Sequence, residues 1–253
     1  MNKKPSGASA TPVTSVPRSV RVEKSAARIS RLLRGKTHRV TVLLHSLYGS
    51  PHHNNKIDPL DELLFIVLSQ MTTYPSFERV YTRLKQAAPT WDAVRTMSIE
   101  RLKTLIKDAG LSNQKAPRIK AILDRIYADF GALTLEPLCA MSTAGAEAYL
   151  RALPGVQTKT AKCVLMFSLR RRVLPVDTHV LRIARRMGFV QQKSISEKVH
   201  EQLELAVAPA DRYRFHVNAI AFGRDICLAK NPRCPACPFK GVCDYYHTRA
   251  LTP

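Results

Sequence analysis

Four cysteines near the C-terminal end of the chain are the residues whose type and spacing most clearly predict chemistry. They form a C-x6-C-x2-C-x5-C run of Cys227, Cys234, Cys237 and Cys243. Thiolates are soft ligands that select zinc or iron–sulfur clusters over hard cations. The spacing is neither that of the bacterial ferredoxin run nor that of two evenly split CxxC pairs. The cysteines therefore predict a metal centre, either zinc or iron–sulfur.

The charge of the chain indicates what kind of partner it binds. Its 253 residues include 40 lysines and arginines against 19 acidic residues, a formal net charge of +21. Such an excess favours a polyanionic partner, of which nucleic acid is the commonest. Residues 1–25 are rich in Ser, Thr, Pro, Ala and Lys, which predicts a disordered basic tail, with an organelle transit peptide as the alternative. The basic excess also extends beyond that tail.

The hydrophobic pattern predicts a succession of helices to hold these residues in place. Asp58 followed by Pro59 is typical of a helix start, and Ser98 and Asp177 are further candidate N-caps. Apolar residues recur at helical spacing, and residues 40–44 are the one weak candidate for a strand, although a helix suits them as well. The predicted fold class is therefore all-α.

Two further motifs lie upstream of the cysteines. Between two apolar helical segments the chain reads Leu153-Pro-Gly-Val-Gln-Thr-Lys-Thr-Ala161, and later it reads Val176-Asp-Thr-His179. A tight turn of the first kind leaves backbone N–H groups free to bind phosphate, although such turns also connect ordinary core helices. Together with the cysteine run, the two motifs resemble in order and spacing those of the endonuclease III family of DNA glycosylases. The resemblance covers about residues 25–248.

The resemblance implies a fold and a cofactor. The family has a helix-hairpin-helix glycosylase fold of two all-α domains with the active site in the cleft between them. One domain would be a six-helix barrel of residues 52–171 that carries the hairpin. The other would combine residues 26–51 with residues 172–253, and its four cysteines would hold a [4Fe–4S] cluster rather than zinc.

The resemblance also implies the catalytic residues. Lys159 matches the family's lysine, whose amine attacks the sugar C1′ and expels a damaged base. The imine that is left leads to strand breakage by β-elimination. For a lone lysine, a phosphate contact would be the alternative. Attack requires a neutral amine, and we expect desolvation and positive neighbours to lower the pKa of Lys159. Asp177 matches the family's aspartate, which stabilises the transition state, and it can also cap the next helix.

The resemblance also implies which residues contact DNA. A base inside a duplex must be flipped out, and the gap it leaves must be filled. The segment Gly110-Leu-Ser-Asn-Gln-Lys-Ala116 matches the family's wedge loop, which makes Leu111 the wedge unless it is a buried helix-capping leucine. A second gap-filling segment is Leu68-Ser-Gln-Met-Thr-Thr-Tyr74, with Met71 at its centre. The other predicted contacts to the DNA backbone are Gly155, Gln157, Arg224, Lys230 and Arg233.

Three positions depart from the family pattern. Met71 stands where the family often has an amide, and a thioether cannot pair with the orphaned base as an amide does. Tyr74 replaces an acid. Gln157 replaces the second glycine of the hairpin, which would cost roughly 1–2 kcal/mol if the position requires a positive φ. We therefore expect weaker or altered selectivity for damaged bases.

The sequence thus predicts a bifunctional DNA glycosylase and AP lyase of base excision repair, acting on oxidised pyrimidines and abasic sites in double-stranded DNA. One alternative is a monofunctional adenine-type mismatch glycosylase, against which Lys159 argues; another is a damage-binding paralogue with weak catalysis. No apolar run is long enough to span a bilayer, so we expect no membrane partner. We also expect a monomer, located in the cytoplasm and nucleoid of a bacterium or in a eukaryotic nucleus or mitochondrion.

Overall fold

The computed structural model describes residues 18–250 except residues 74 and 192–194, with side chains from residue 31 to residue 248. This part of the chain contains α-helices joined by turns and short 3₁₀ segments, and no strand, which confirms the all-α prediction. The α-helices are α1 (Arg18–Tyr48), α2 (Pro59–Ser69), α3 (Ser76–Ala87), α4 (Trp91–Thr96), α5 (Ile99–Ile106), α6 (Ser112–Phe130), α7 (Thr143–Ala152), α8 (Thr158–Phe167), α9 (Thr178–Arg186), α10 (Glu197–Ala206), α11 (Arg212–Asp225) and α12 (Asp244–Ala250). None of the helices described is both long and apolar enough to cross a bilayer.

The helix starts agree with the predicted caps. The Asp58 carboxylate accepts a hydrogen bond from the Asp61 N–H at 2.8 Å, and Pro59 occupies the first position of α2. The Ser98 hydroxyl accepts from the Arg101 N–H at 3.3 Å at the start of α5. These contacts satisfy N–H groups that have no partner within their own helix.

The first helix corrects one expectation and decides between two alternatives. It begins at Arg18, inside the segment predicted to be a disordered tail, so residues 18–25 are helical. The prolines that suggested disorder end at residue 17, and the next proline is Pro51, so the stretch between them is free to form a helix. Residues 40–44 also lie in this helix and not in a strand. Residues 1–17 of the predicted tail, and Tyr74, lie outside the described residues.

The buried side chains form two hydrophobic cores. The first contains residues between Leu60 and Val173, from α2 to α8 and the turn that follows. The second combines Val40 and Leu44 of α1 with residues between Leu174 and Cys243. The first core ends at Val173 and the second continues from Leu174, beside the expected domain boundary at residue 172. The division into two domains stays a prediction. Among the described residues from 52 to 171 there are seven α-helices rather than six, because Thr90 caps the additional six-residue helix α4.

Helices α2 and α8 lie antiparallel against each other, and this contact positions the hairpin. At one end the Gln70 amide donates to the Thr160 hydroxyl at 3.3 Å. At the other end the Ser168 hydroxyl donates to the Lys56 carbonyl at 2.8 Å. The start of α8 is therefore held beside the end of α2.

Candidate active site

The turn between α7 and α8 is a tight hairpin with one left-handed residue. The Val156 N–H donates to the Leu153 carbonyl at 3.1 Å, and Gly155 has a φ of +69°. Glycine suits this left-handed conformation, and a Cβ at this position would displace the Arg118 side chain.

Gln157 takes an extended conformation, with φ −100° and ψ 171°, immediately before α8. The strain considered for this departure from glycine is therefore absent, since any residue adopts these angles. The Gln157 side chain makes no capping hydrogen bond, so it leaves the N–H groups of the first turn of α8 to other partners. An uncapped helix start of this kind is suited to an anion such as phosphate.

Lys159 lies in the first turn of α8 and is half-buried. Burial lowers the pKa of its amine, but Cys163, Asp177 and Glu62 raise it, and the net shift is upward. The expected lowering of this pKa is therefore wrong for the free protein. The reason is that the amine meets the Cys163 thiol one turn further along α8, and acidic side chains from the start of α9 and from α2, and not the positive neighbours that were expected.

Asp177 caps α9, as predicted, by accepting a hydrogen bond from the Val180 N–H at 2.8 Å. Burial raises the pKa of this carboxyl group, but His216, the Val180 N–H group and Lys159 outweigh it, and the pKa is lowered. At neutral pH Asp177 is thus a carboxylate that faces the Lys159 cation. Its role in catalysis stays a prediction.

Two residues of the site escaped the sequence patterns. Glu62 is fully buried; its carboxylate accepts from the Asn55 amide at 2.5 Å and from the Lys56 N–H at 2.7 Å, and burial raises its pKa to about 7. An acid within the apolar run of α2 was the signal that could have revealed it. His216 is 2% exposed, its Nδ1 donates to the Pro175 carbonyl at 2.9 Å, and burial lowers its pKa to about 4. No sequence signal distinguished this histidine.

The two predicted gap-filling residues are both exposed. Met71 follows α2 with 88% of its surface exposed and a φ of +54°. Leu111 precedes α6 with 48% exposed and a φ of +51°. The alternative that Leu111 is a buried capping residue is therefore wrong. Both residues have a positive φ, which is uncommon for residues other than glycine.

The predicted basic contacts are also exposed. Arg224 lies in the last turn of α11. Burial lowers the pKa of His179 most, and the charges of Arg182 and Arg224 lower it further. Arg224 therefore lies on the Asp177 side of the site. Lys230 and Arg233 lie in the loop between the first two cysteines, and Arg233 is 3.5 Å from Asp225. Nothing places these two loop residues close to Lys159, and their contact with DNA stays a prediction.

The four cysteines of the C-terminal run line one cavity together with Arg186, Phe222 and Tyr245. All four are free thiols. The Arg186 guanidinium donates to the Cys227 sulfur at 3.1 Å. In the described part of the chain, no three His, Cys, Asp or Glu side chains approach closely enough to hold a single metal ion. Four thiols around one cavity form a soft donor set of the kind that holds zinc or an iron–sulfur cluster.

An all-α fold in which a hairpin between two helices carries a lysine toward a helix-capping aspartate defines the helix-hairpin-helix class of proteins. The chain belongs to the HhH-GPD superfamily of base excision DNA repair proteins, whose model matches residues 64–209, more than half of the chain.

Individual relatives agree with this family. A putative DNA glycosylase of Arabidopsis thaliana is 36% identical over 163 residues, which are 64% of this chain and 55% of that protein. Endonuclease III of Thermotoga maritima is 33% identical over 200 residues, 79% of this chain and 89% of that protein. A solved structure of a trapped endonuclease III–DNA covalent intermediate matches with a TM-score of 0.75 and 25% identity, over 86% of this chain and 98% of that one. The chain spans about half of the Arabidopsis protein and 9–13% of several longer plant relatives.

Proposed function

We propose that the protein is a bifunctional DNA glycosylase and AP lyase of base excision repair, with oxidised pyrimidines and abasic sites in double-stranded DNA as its substrates. The observation that carries the proposal is the position of Lys159, an amine on the first turn of a helix without a side-chain cap and opposite the Asp177 carboxylate. Membership of a base excision repair family and the likeness to a covalent endonuclease III–DNA intermediate support it.

The proposed chemistry uses the lysine as nucleophile. The Lys159 ammonium group first gives up a proton, for which the neighbouring Asp177 carboxylate is an acceptor. The neutral amine then forms a bond to C1′ as the glycosidic bond breaks, and the base leaves with the bonding electrons and takes up a proton. Loss of the bond between C1′ and the ring oxygen then gives an imine. The imine acidifies the C2′ proton, and removal of that proton breaks the C3′–O bond. The Asp177 carboxylate stabilises the positive charge that develops at C1′.

The proposed DNA contacts surround this pair. The first-turn N–H groups of α8 bind a phosphate, while Met71 and Leu111 fill the gap left by the flipped nucleotide. Arg224, Lys230 and Arg233 add contacts to the backbone, which makes the affinity depend on salt. The protein is proposed to act as a monomer, and its cellular location stays a prediction.

We further propose that the four cysteines hold a [4Fe–4S] cluster. Four soft donors line one cavity, and their C-x6-C-x2-C-x5-C spacing is the one that the endonuclease III resemblance associates with such a cluster. When bound, the cluster would act as a scaffold. The Arg186 guanidinium donates a hydrogen bond to the sulfur of Cys227, one of the proposed ligands. The loop between Cys227 and Cys234 exposes Lys230 and Arg233 to solvent.

A damage-binding protein with weak catalysis is the second candidate. It is favoured by Met71, which exposes a thioether where an amide could pair with the orphaned base. A monofunctional glycosylase is disfavoured, because such an enzyme activates water and has no need of the Lys159 amine.

One experiment separates the three functions. The protein is incubated with duplex DNA that contains an abasic site, in the presence of borohydride, which reduces an imine to a stable amine. A covalent adduct that is lost in Lys159→Ala supports the lyase. Tight binding without an adduct, together with no release of a damaged base, supports the damage-binding protein. Base release without an adduct supports the monofunctional glycosylase.

A further inference from the structure

Lys115 is a buried cation that has no ion pair with an acidic side chain in the described part of the chain. Its residue is 2% exposed. The ammonium donates to the Leu68 carbonyl at 2.7 Å, to the Thr72 hydroxyl at 2.8 Å and to the Ala109 carbonyl at 2.8 Å. Burial, and secondarily Arg118, lowers its pKa to about 8. An ammonium group has three N–H donors, and all three are matched here.

The three acceptors belong to the two segments that carry the exposed apolar residues. Leu68 and Thr72 flank Met71, and Ala109 lies two residues before Leu111. The Thr72 hydroxyl also donates to the Ala109 carbonyl, so the two segments are joined directly as well as through the ammonium. Both exposed residues have a positive φ, a conformation that persists only where surrounding contacts hold it.

The same face of α6 reaches the hairpin. Arg118, one turn after Lys115, donates to the Gln70 amide oxygen at 2.9 Å, and its side chain lies over Gly155. The Gln70 amide nitrogen in turn donates to Thr160 at the start of α8. Helix α6 therefore connects both exposed segments to the helix that carries the candidate nucleophile.

We propose that Lys115 is a positioning residue that holds Met71 and Leu111 as one rigid wedge, so that both enter the duplex together. The inference rests on the proposed function, in which a nucleotide is flipped out and the gap is filled. Because one ammonium group binds both segments, neither can move without breaking a contact to the other. A lysine whose only role was to stabilise α6 would not need acceptors from both segments.

The test replaces the ammonium with an apolar group of similar length, Lys115→Met. The matched control is Lys120→Met on the same helix, since Lys120 also donates to two backbone carbonyls, those of Arg95 and Met97, at 2.5 and 2.7 Å, but touches neither segment. Two readouts are compared: β-elimination on a single-stranded and on a duplex abasic oligonucleotide, and the fluorescence of 2-aminopurine placed opposite the abasic site. The first reports catalysis, and the second reports wedge insertion without requiring turnover.

In Lys115→Met we expect the duplex rate to fall about tenfold or more relative to the single-stranded rate, and the fluorescence change at saturating protein to be lost. Lys120→Met should keep the wild-type ratio and signal. If Lys115→Met is folded and keeps the wild-type ratio of duplex to single-stranded rates and the wild-type fluorescence change, the proposal is wrong. If the wild-type protein cleaves neither substrate, the proposed function fails, while the fluorescence still decides the role of Lys115.

A second variant covers the case in which Lys115→Met does not fold. Thr72→Val keeps the lysine but removes the hydroxyl that joins the two segments. It should also lower the duplex rate and the fluorescence change selectively. Combined with Met71→Ala and Leu111→Ala, it should add no further loss, because the wedge is already absent. Additive losses in that combination would overturn the proposal.

Discussion

The Arg118 side chain lies directly over the Cα atom of Gly155, so that a Cβ at the hairpin glycine would overlap the guanidinium group. Glycine is favoured by its φ of +69°, and a Cβ would in addition push the Arg118 side chain away from its present position. Because Arg118 also binds Gln70, a side chain at residue 155 would disturb the exposed segment at Met71 as well as the hairpin.

Gly155→Ala should weaken duplex binding about tenfold and reduce stability by about 1–2 kcal/mol, since the left-handed conformation is unfavourable for alanine. Fluorescence anisotropy with abasic DNA and urea unfolding measure the two effects. The control is Gly35→Ala in α1, where no atom lies within 4 Å of the added Cβ. That variant should bind DNA normally and gain about 0.5–1 kcal/mol. Unchanged binding in Gly155→Ala would refute the hairpin contact.

Glu62→Gln should alter how stability depends on pH. Burial raises the folded-state pKa of Glu62 to about 7, above the value in the unfolded chain. The protonated carboxyl group is therefore favoured by folding, so its stabilising contribution is present at low pH and is lost as the pH rises through 7. The stability of the wild type relative to Glu62→Gln should fall by about 3 kcal/mol between pH 4.5 and pH 8. Urea unfolding over that range tests this, and a constant difference would contradict the raised pKa.

The same variant should make the lysine more reactive near neutral pH. The Glu62 carboxylate helps to raise the pKa of Lys159, so removing its charge lowers that pKa and increases the fraction of neutral amine. As the pH rises, the rate of borohydride trapping should reach its plateau at a lower pH in Glu62→Gln than in the wild type. The measurement is the trapping rate over a range of about pH 6 to pH 10. An identical pH profile would show that Glu62 does not act on the amine.

Met71→Gln should restore a hydrogen-bonding group toward the orphaned base. Because an amide distinguishes bases and a thioether does not, excision should come to depend on the base opposite the lesion by about tenfold or less. Single-turnover excision from duplexes with each of the four opposite bases measures this. Leu205→Gln, at an apolar residue that is 65% exposed on α10, controls for added surface polarity. Equal rates in Met71→Gln and the wild type would mean that the departure at residue 71 has no consequence for selectivity.

Cys237→Ser should remove the metal centre. Loss of one of four thiolate ligands should reduce the iron and acid-labile sulfide that co-purify with the protein and lower its thermal stability. Cys163→Ser, at a buried thiol outside the cavity, should keep its iron. Elemental analysis of the purified proteins makes the comparison. A colourless wild-type protein that contains only zinc would refute the iron–sulfur proposal.

The local features of this protein were readable from its sequence, because each depends on residues a few positions apart. Asp58, Ser98 and Asp177 start helices since their side chains reach N–H groups three residues on, and Gly155 turns the hairpin since it tolerates a positive φ. The motif order was enough to predict the family. The extended conformation of Gln157 is local as well, since it is the residue before α8, where N-cap residues take β-region angles.

Only the tertiary structure decided the electrostatics of the site. Lys159 has a raised pKa because Cys163, one turn along α8, acts together with Asp177 and Glu62, which the start of α9 and α2 bring from positions far away in the chain. Lys115 joins the segments of Met71 and Leu111 for the same reason, since its acceptors lie on both sides of a helix packing interface. Caps and turns are set by neighbours in sequence, whereas burial and charge are set by neighbours in space.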